Sequence, residues 1–530
     1  MKANNTEKKT EEDDKKQLNS YHYFPLNDDS EGSQSKGCMS PKTVLASPYT
    51  KYYKQDSFYD IYCDELEMNL DSEKASNMET QGNQTDLKKS FLKSKENYEV
   101  SNFHKLSCCE RYFGPIKAGS LRGSTIAMAS ITLGGGCLSF PYAIAQSGPL
   151  VGFGMFIIIA IISYWTLELL LVNGLDSGTM DYNELAENSG GIWMKRIADY
   201  SNIGITIGLI LSYQYIITNL CLQVLNYFFD TQCDGIVKIL QIIICAVVFQ
   251  IPLSMLKSIS NLQYISLSGT VAICLAILII IIESPFYAYE YFTNETKSDF
   301  SFFPPNNGIK TGWLDTLGIL LFGFSSHNGI FQIFNELDRP GKRRCTKVLR
   351  RAFVLEGVLY LLLSFAGFFS TFYDTPDVFL KRKNLSGFEK DYFIIIVKIL
   401  LVITLNSCMA LNYNIMRMAY KSIFFNSKTP SFLKDTVLVI ITYIITNLIT
   451  YFLDNAGTLL SFLGGFCTVI VCFVIPIVVD LKINPNDVKK NKLRKTFNWI
   501  VLVVMCILGT ICSVKALIDF ITAKPSPPIC

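Results

Sequence analysis

The stretch TLGGGCLSFPYA, residues 132–143, places three consecutive glycines and a proline inside a segment that is otherwise apolar enough for lipid. In hydrocarbon every backbone N–H and C=O group needs an internal partner, so an interrupted helix is tolerated there only where it faces protein or a water-filled cavity. Glycine permits backbone angles that other residues avoid, and Pro141 removes one hydrogen-bond donor. The stretch therefore predicts an unwound segment within a span; close packing of a neighbouring helix against the glycines is the alternative.

Polar and apolar residues are segregated along the 530-residue chain, of which 50% is hydrophobic and 18% charged. Residues 1–118 are rich in Lys, Glu, Asp, Asn and Ser and show no sustained period, so we expect a disordered cytosolic tail. From Leu121 onward, apolar runs of about 20 residues, the length that crosses a bilayer, alternate with short charged loops. The sequence predicts an all-α, multi-pass membrane protein with a tail at 1–118, a transmembrane domain at 119–523 and a short non-cytosolic tail at 524–530.

The apolar runs predict eleven transmembrane helices. Lys and Arg are concentrated in alternate loops, above all in DRPGKRRCTKVLRR (338–351) and KINPNDVKKNKLRK (482–495). The positive-inside rule then places the N-terminus in the cytosol. The predicted spans are 119–146, 149–173, 197–229, 236–256, 262–283, 313–337, 352–373, 392–416, 435–453, 457–480 and 497–521.

Composition also argues against several classes of function. The formal net charge is +3, and the basic residues lie in the tail and loops rather than on one folded face, so we expect no nucleic-acid partner. Of the three histidines, His22 and His104 lie in the tail and only His327 in a span. That is too few for a His-rich metal or relay site, so we expect neither an enzyme nor a metal or organic cofactor.

A second interruption occurs in GILLFGFSSHNGIFQIFNEL, residues 318–337, where SSHNG falls in the middle of the sixth span. Polar groups inside a membrane are costly and mark a pathway or a site by default. Interruptions in the first and sixth spans fit two inverted five-helix repeats, each opened by a broken helix at the midplane. Half-helix N–H groups there suit a carboxylate, and unwound carbonyls suit a cation, so a zwitterion matches the geometry.

GSTIAMASITLGGGCLSFPYAIAQSG (123–148) resembles the first span of the amino acid/auxin permease family, and FGFSSHNGIFQIFNEL (322–337) resembles its sixth. The resemblance covers about residues 118–521. It implies a LeuT-like 5+5 inverted repeat plus one extra helix, and secondary active transport of amino acids, often by symport with H⁺ or Na⁺. The Asn, Lys, Ile and Tyr bias is similar to that of malaria-parasite transporters, which implies a plasma membrane or a vacuolar, lysosome-like membrane.

The candidate substrate site combines both interruptions with the third span. We expect backbone groups of the glycine turn to bind the α-carboxylate, while oxygens of Thr132, Ser325 and Ser326 take the ammonium. No acidic residue is placed at the midplane, so a neutral or aromatic amino acid is the expected substrate. The candidates are Thr132, Gly134, Gly135, Gly136, Cys137, Ser325, Ser326, His327, Asn328 and Tyr213, for which simple packing is the alternative.

Coupling-ion candidates follow from the same resemblance. Sodium-coupled relatives have an Asn where this chain has Ser130, and a Thr of their eighth span aligns with Asn406. Both replacements still carry an oxygen for a cation. His327 suits a proton switch. The ion-coupling candidates are Ser130, Thr404, Asn406 and His327.

Three charged residues also fall within predicted spans. Glu168 and Glu356 lie toward the cytosolic ends, where we expect salt bridges or side chains that reach the interface. Lys398 either reaches the interface in the same way or replaces a bound sodium ion.

Two other functions are compatible with these patterns. An amino acid sensor on the same fold would use the long tail for signalling, with little flux. A channel or facilitator for a small solute would also use broken helices.

Overall fold

A computed structural model describes most of the chain after residue 118. The predicted tails, 1–118 and 524–530, lie outside the described residues. Within the described ranges every regular element is helical. These ranges are 119–133, 135–229, 235–256, 259–293 (with side chains from 267 onward), 302, 311–338, 340–382, 392–425, 430–453, 455–483 and 492–522.

Thirteen helices, α1 to α13 in chain order, form the described part. The helices up to residue 293 are α1 Leu121–Thr132, α2 Phe140–Ser147, α3 Pro149–Ser177, α4 Tyr182–Phe229, α5 Gly235–Ser254 and α6 Ile259–Thr293. The later helices are α7 Gly312–Gly323, α8 Ile330–Asn335, α9 Lys342–Thr371, α10 Tyr392–Phe424, α11 Phe432–Phe452, α12 Ala456–Ile483 and α13 Lys492–Thr522.

Nine of these helices are long and apolar enough to cross a bilayer, or ten if the bent pair α1 and α2 is taken as one span. The described residues also include the shorter apolar helix α7, which covers the first part of the predicted sixth span. The chain is therefore a multi-pass integral membrane protein, and eleven spans remain a prediction. Large apolar side chains such as Ile444 on α11 and Val504 on α13 are exposed, as a lipid-facing surface requires.

Several helices are longer than their apolar runs. Helix α9 begins at Lys342, ten residues before the predicted start, because Lys and Arg are good helix formers beyond the hydrocarbon. Helix α4 begins at Tyr182 and is bent at Gly191, whose φ of 71° lies in the left-handed region. The third span was predicted from 197, and the bend at Gly191 separates the short preceding helix from it.

Close backbone contact positions the second interrupted helix. Helices α7 and α12 meet at Gly318 and Gly464, where a Cβ on Gly464 would overlap the carbonyl of Gly318. Small residues let membrane helices approach until their backbones touch. Helix α7 also packs against α2, so it lies between the first broken helix and α12.

Candidate functional site

The first interrupted helix is broken at the three consecutive glycines, as the sequence predicts. Helix α1 ends at Thr132, a 3₁₀ turn runs from Gly135 to Ser139, and α2 begins at Phe140. The segments Leu121–Thr132 and Gly136–Ser147 differ in direction by 49°. Pro141 stands in the first turn of α2, where its missing N–H costs no hydrogen bond.

The second interrupted helix is broken between α7 and α8. Residues 324–329 leave the helical pattern, and local hydrogen bonds replace it. The Ser325 hydroxyl donates to the Phe322 carbonyl at 2.6 Å, and the Gly329 N–H donates to the Ser326 carbonyl at 3.3 Å. The SSHNG sequence thus forms the unwound segment itself.

One side chain connects the two interruptions. The Tyr360 hydroxyl, from α9, lies 2.6 Å from the carbonyl oxygen of Thr132 and 3.2 Å from the carbonyl oxygen of Gly323. Each carbonyl ends the first half of a broken helix and has lost its helical partner. Tyr360 therefore braces both unwound ends with a single hydroxyl, and we call this arrangement the tyrosine brace.

Aromatic rings hold the tyrosine brace in position. The Tyr360 ring meets Phe140 edge-on, with ring centres 4.8 Å apart, and Phe324 edge-on at 5.5 Å. Edge-to-face contacts of this kind favour a fixed orientation. A Cβ on Gly323 would overlap the Phe140 ring, so glycine is required there for this close approach.

A small cavity lies between the two breaks. Its volume is about 10 Å³, which is enough for a single water molecule. An amino acid therefore needs the surrounding helices to move apart before it enters. Among the described residues, those that line the cavity are uncharged: Ile131, Thr132, Gly136, Leu209, Tyr213, Phe322, Gly323 and Ser325.

The structure brings four of the sequence-predicted substrate residues into this lining: Thr132, Gly136, Tyr213 and Ser325. The Thr132 hydroxyl donates back to the Ala129 carbonyl at 3.0 Å, and the Thr132 carbonyl accepts from Tyr360. Gly134 lies outside the described residues, and for Gly135 only the backbone is described. The role of each of these residues in binding remains a prediction.

The other four substrate candidates are buried but do not line the cavity: Cys137, Ser326, His327 and Asn328. His327 has no exposed surface, and its Nε2 lies 3.0 Å from the Thr166 hydroxyl of α3. Its ring also approaches Phe473 of α12, with centres 6.5 Å apart. These contacts place the imidazole between α3 and α12, and its proton role stays a prediction.

Ser130, the ion-coupling candidate on α1, contacts neutral groups of α6 and α10. The Ser130 hydroxyl lies 3.0 Å from the Thr270 hydroxyl of α6, and the Cys408 thiol of α10 contacts the Ser130 carbonyl at 3.4 Å. Thr404 and Asn406 each bond back within α10, to carbonyls one turn earlier. Among the described residues no cluster of three or more His, Cys, Asp or Glu side chains is arranged to hold a metal ion.

Sequence reasoning missed Tyr360 and gave Glu356 the wrong environment. The predicted interface position of Glu356 is wrong, because its side chain is only 1% exposed and makes no ion pair within the described ranges. The polar side chains that act on it are the Thr132 and Tyr360 hydroxyls. The available signal was the spacing: residues four apart share a helix face, and both lie in the apolar EGVLY run.

A second polar network surrounds Asp377. The Asp377 carboxylate accepts from Lys381 at 2.9 Å, from the Tyr215 hydroxyl of α4 at 3.1 Å, and from the Ala456 N–H at the start of α12 at 3.1 Å. Asp377 belongs to the segment between α9 and α10. The network thus fastens this connecting segment onto α4 and α12, and we call it the loop latch.

The family model for transmembrane amino acid transporter proteins matches residues 117–518. The chain is 23% identical over 360 residues to "Putative amino acid transporter AAT1" of Plasmodium berghei, covering 67% of this chain and 52% of that protein. It is 22% identical over 397 residues to sodium-coupled neutral amino acid symporter 2 of Danio rerio, covering 70% and 76%. The chain thus spans about half the length of the Plasmodium berghei relative.

Among solved structures, the chain is similar to MhsT in complex with L-phenylalanine, at 14% identity and a TM-score of 0.46, covering 78% of this chain and all of that one. It is also similar to a Na⁺-coupled sialic acid symporter, at 14% identity and a TM-score of 0.46, covering 81% and 94%. The family match extends across both interrupted helices and the tyrosine brace. The chain belongs to the transmembrane amino acid transporter protein family.

Proposed function

We propose that this protein is a secondary active transporter of amino acids, and that the substrate binds in the cavity between the two interrupted helices. The observation that carries the proposal is the tyrosine brace, which ties the free carbonyls of Thr132 and Gly323 together beside that cavity. A substrate that binds there touches both broken helices at once. Its arrival and departure can therefore be linked to their movement, as alternating access requires.

The lining of the cavity supports a neutral or aromatic substrate. Ile131, Leu209 and Phe322 supply apolar surface, and Tyr213 adds an aromatic ring with a polar end. A cationic or anionic side chain would lose its hydration without gaining an opposite charge from this lining. The substrate's α-carboxylate and ammonium group then bind to the backbone and hydroxyl groups of the unwound segments.

The overall arrangement follows the LeuT-like pattern in this proposal. Helices α1 to α6 form one five-span repeat, α7 to α12 form the inverted second repeat, and α13 is the additional helix. The basic residues at the start of α9, among them Lys342, support a cytosolic N-terminus. The membrane is the plasma membrane or a vacuolar, lysosome-like membrane.

The direct test is uptake by the purified full chain in proteoliposomes. A panel of labelled amino acids at two pH values, with and without sodium, identifies the substrate class and the coupling ion. We expect concentrative uptake of neutral or aromatic amino acids that unlabelled substrate abolishes. Absence of uptake for every member of the panel would contradict the proposal.

The same assay distinguishes the alternatives. A channel would give currents far above carrier turnover rates, without concentrative uptake. A sensor would bind the amino acid with little flux, and deletion of residues 1–100 would remove its signal.

A further inference from the structure

Glu356 is the one buried carboxyl in direct contact with the tyrosine brace among the described residues, and neither the cavity nor the predicted ion candidates include it. One of its carboxyl oxygens has no hydrogen-bond partner within the described ranges. An unpaired carboxylate in a membrane interior is costly, and such a residue marks a functional site by default. Its environment therefore needs an explanation beyond packing.

The hydrogen bonds around Glu356 indicate which form of the carboxyl fits this state. The Thr132 hydroxyl hydrogen is directed at the Ala129 carbonyl, and the Tyr360 hydroxyl hydrogen is directed at the carbonyls of Thr132 and Gly323. Each hydroxyl has only one hydrogen to donate. Both neighbours therefore offer Glu356 only oxygen lone pairs, and the carboxyl can bond to them only as a donor, in its protonated form.

Ionised Glu356 would change these hydrogen bonds. A carboxylate only accepts, so it would compete with the backbone carbonyls for the hydrogens of Thr132 and Tyr360. Hydrogen bonds to a charged group are also the stronger ones. Loss of the proton therefore pulls the Tyr360 hydroxyl away from the two broken helices and opens the tyrosine brace.

Among the described residues no charged group acts on Glu356. Helix α9 packs against α1, α2, α3 and α6. The ionisable groups in interaction with Glu356 are the Cys137 thiol and the Tyr360 hydroxyl, both neutral at physiological pH. On the packed helices, Asp176 of α3 pairs with Lys342, Glu283 of α6 pairs with Arg382, and Glu168 of α3 acts on Tyr164. The other two charged residues lie near helix ends, Arg122 at the start of α1 and Glu290 at the end of α6.

We propose that Glu356 carries the coupled proton, so that the protein transports its amino acid together with H⁺. The inference rests on the proposed function and specifies its coupling ion. On the acidic side an O–H bond forms between a proton from water and the Glu356 carboxylate, which allows the tyrosine brace to close. On the other side that bond breaks, the proton returns to water, and the carboxylate draws the two hydroxyls away from the helix ends.

The test compares two assays on the full chain in proteoliposomes, using a labelled neutral amino acid. One is uptake driven by a proton gradient with the membrane potential clamped. The other is counterflow exchange at equal pH on both sides, which requires no net proton movement. For wild type we expect the gradient to stimulate uptake by about tenfold, a typical size for coupling between two sites.

The decisive variant is Glu356→Gln, which mimics the protonated carboxyl and cannot release a proton. We expect it to keep counterflow and to lose the tenfold stimulation. Glu168→Gln in α3 is the matched control and should keep both. A Glu356→Gln variant that retains full stimulation overturns the proposal, and so does a folded variant that loses counterflow together with stimulation.

A wild-type measurement keeps the proposal testable if Glu356→Gln does not fold. A pH-sensitive dye inside the vesicles should report acidification when substrate is added outside without a gradient. Uptake without acidification would overturn the proton role while leaving amino acid transport intact. Absence of any uptake by wild type would instead overturn the proposed function and the proton role together.

Discussion

The Tyr360 hydroxyl lies 2.6 Å from the carbonyl oxygen of Thr132, the last residue of the first half-helix. The same hydroxyl approaches the Gly323 carbonyl, at the end of the second. One side chain from a third helix thus satisfies the free ends of two broken helices. Inside the membrane these two backbone carbonyls would otherwise lack a partner. The Tyr360 hydroxyl makes them part of the site.

Removal of the tyrosine brace should impair transport while preserving the fold. Tyr360→Phe keeps the ring contacts with Phe140 and Phe324 but deletes the hydroxyl. A hydrogen bond contributes about 1 kcal/mol net, so we expect uptake to fall by about fivefold. The control is Tyr182→Phe, which removes another buried hydroxyl, one that donates to the Val471 carbonyl at 2.7 Å. Equal loss of uptake in both variants would mean that the effect is general destabilisation.

Weakening the loop latch should loosen the start of α12. Asp377→Asn removes the charge that holds Lys381, Tyr215 and the Ala456 N–H. We expect faster hydrogen exchange in a peptide covering residues 455–460, together with slower uptake. Asp176→Asn is the control, because its pair with Lys342 is exposed and such pairs contribute little. Unchanged exchange in Asp377→Asn would show that other contacts hold the segment.

A buried carboxylate between α12 and α13 should be important for stability. The Asp480 side chain is fully buried, pairs with Arg494, and accepts from Asn498 at 2.8 Å and from Asn173 at 3.1 Å. Loss of one partner of a buried pair costs about 3 kcal/mol, so Asp480→Ala should markedly lower the melting temperature in detergent. A melting temperature within error of wild type would contradict this assignment.

Sodium should have no effect on uptake if the proton is the coupling ion. Ser130 contacts the Thr270 hydroxyl and the Cys408 thiol, and among the described residues no group of three or more His, Cys, Asp or Glu side chains could hold a metal ion. We expect the uptake rate to be the same when sodium is replaced by choline at constant pH. A severalfold fall in choline would indicate a sodium site and contradict the proton account.

Sequence alone located both interruptions, because glycine, proline and clustered polar residues are unusual within apolar runs. It also assigned the membrane class and the family, which the family match confirms. Helix ends were less predictable: α9 extends to Lys342, since basic residues continue a helix outside the hydrocarbon. An apolar run predicts which residues lie in the hydrocarbon of the membrane, but it does not predict the residue at which the helix begins.

The partners of the unwound ends could not be predicted, because they come from distant parts of the chain. Tyr360 is 228 residues from Thr132, and no local pattern pairs them. Glu356 was expected at the interface because basic residues precede it, yet packing by α1, α3 and α6 buries it. His327 was expected in the site, and its hydrogen bond to Thr166 directs it between other helices.

Binding of a labelled amino acid to two Gly136 variants tests the central claim most directly, since Gly136 lines the cavity. A Cβ at this position would lie 3.5 Å from the Phe322 ring, an ordinary contact, so Gly136→Ala should fold and bind with nearly normal affinity. Gly136→Leu fills the cavity and should abolish binding and uptake at an unchanged melting temperature. Wild-type affinity in a folded Gly136→Leu variant would show that the substrate binds elsewhere.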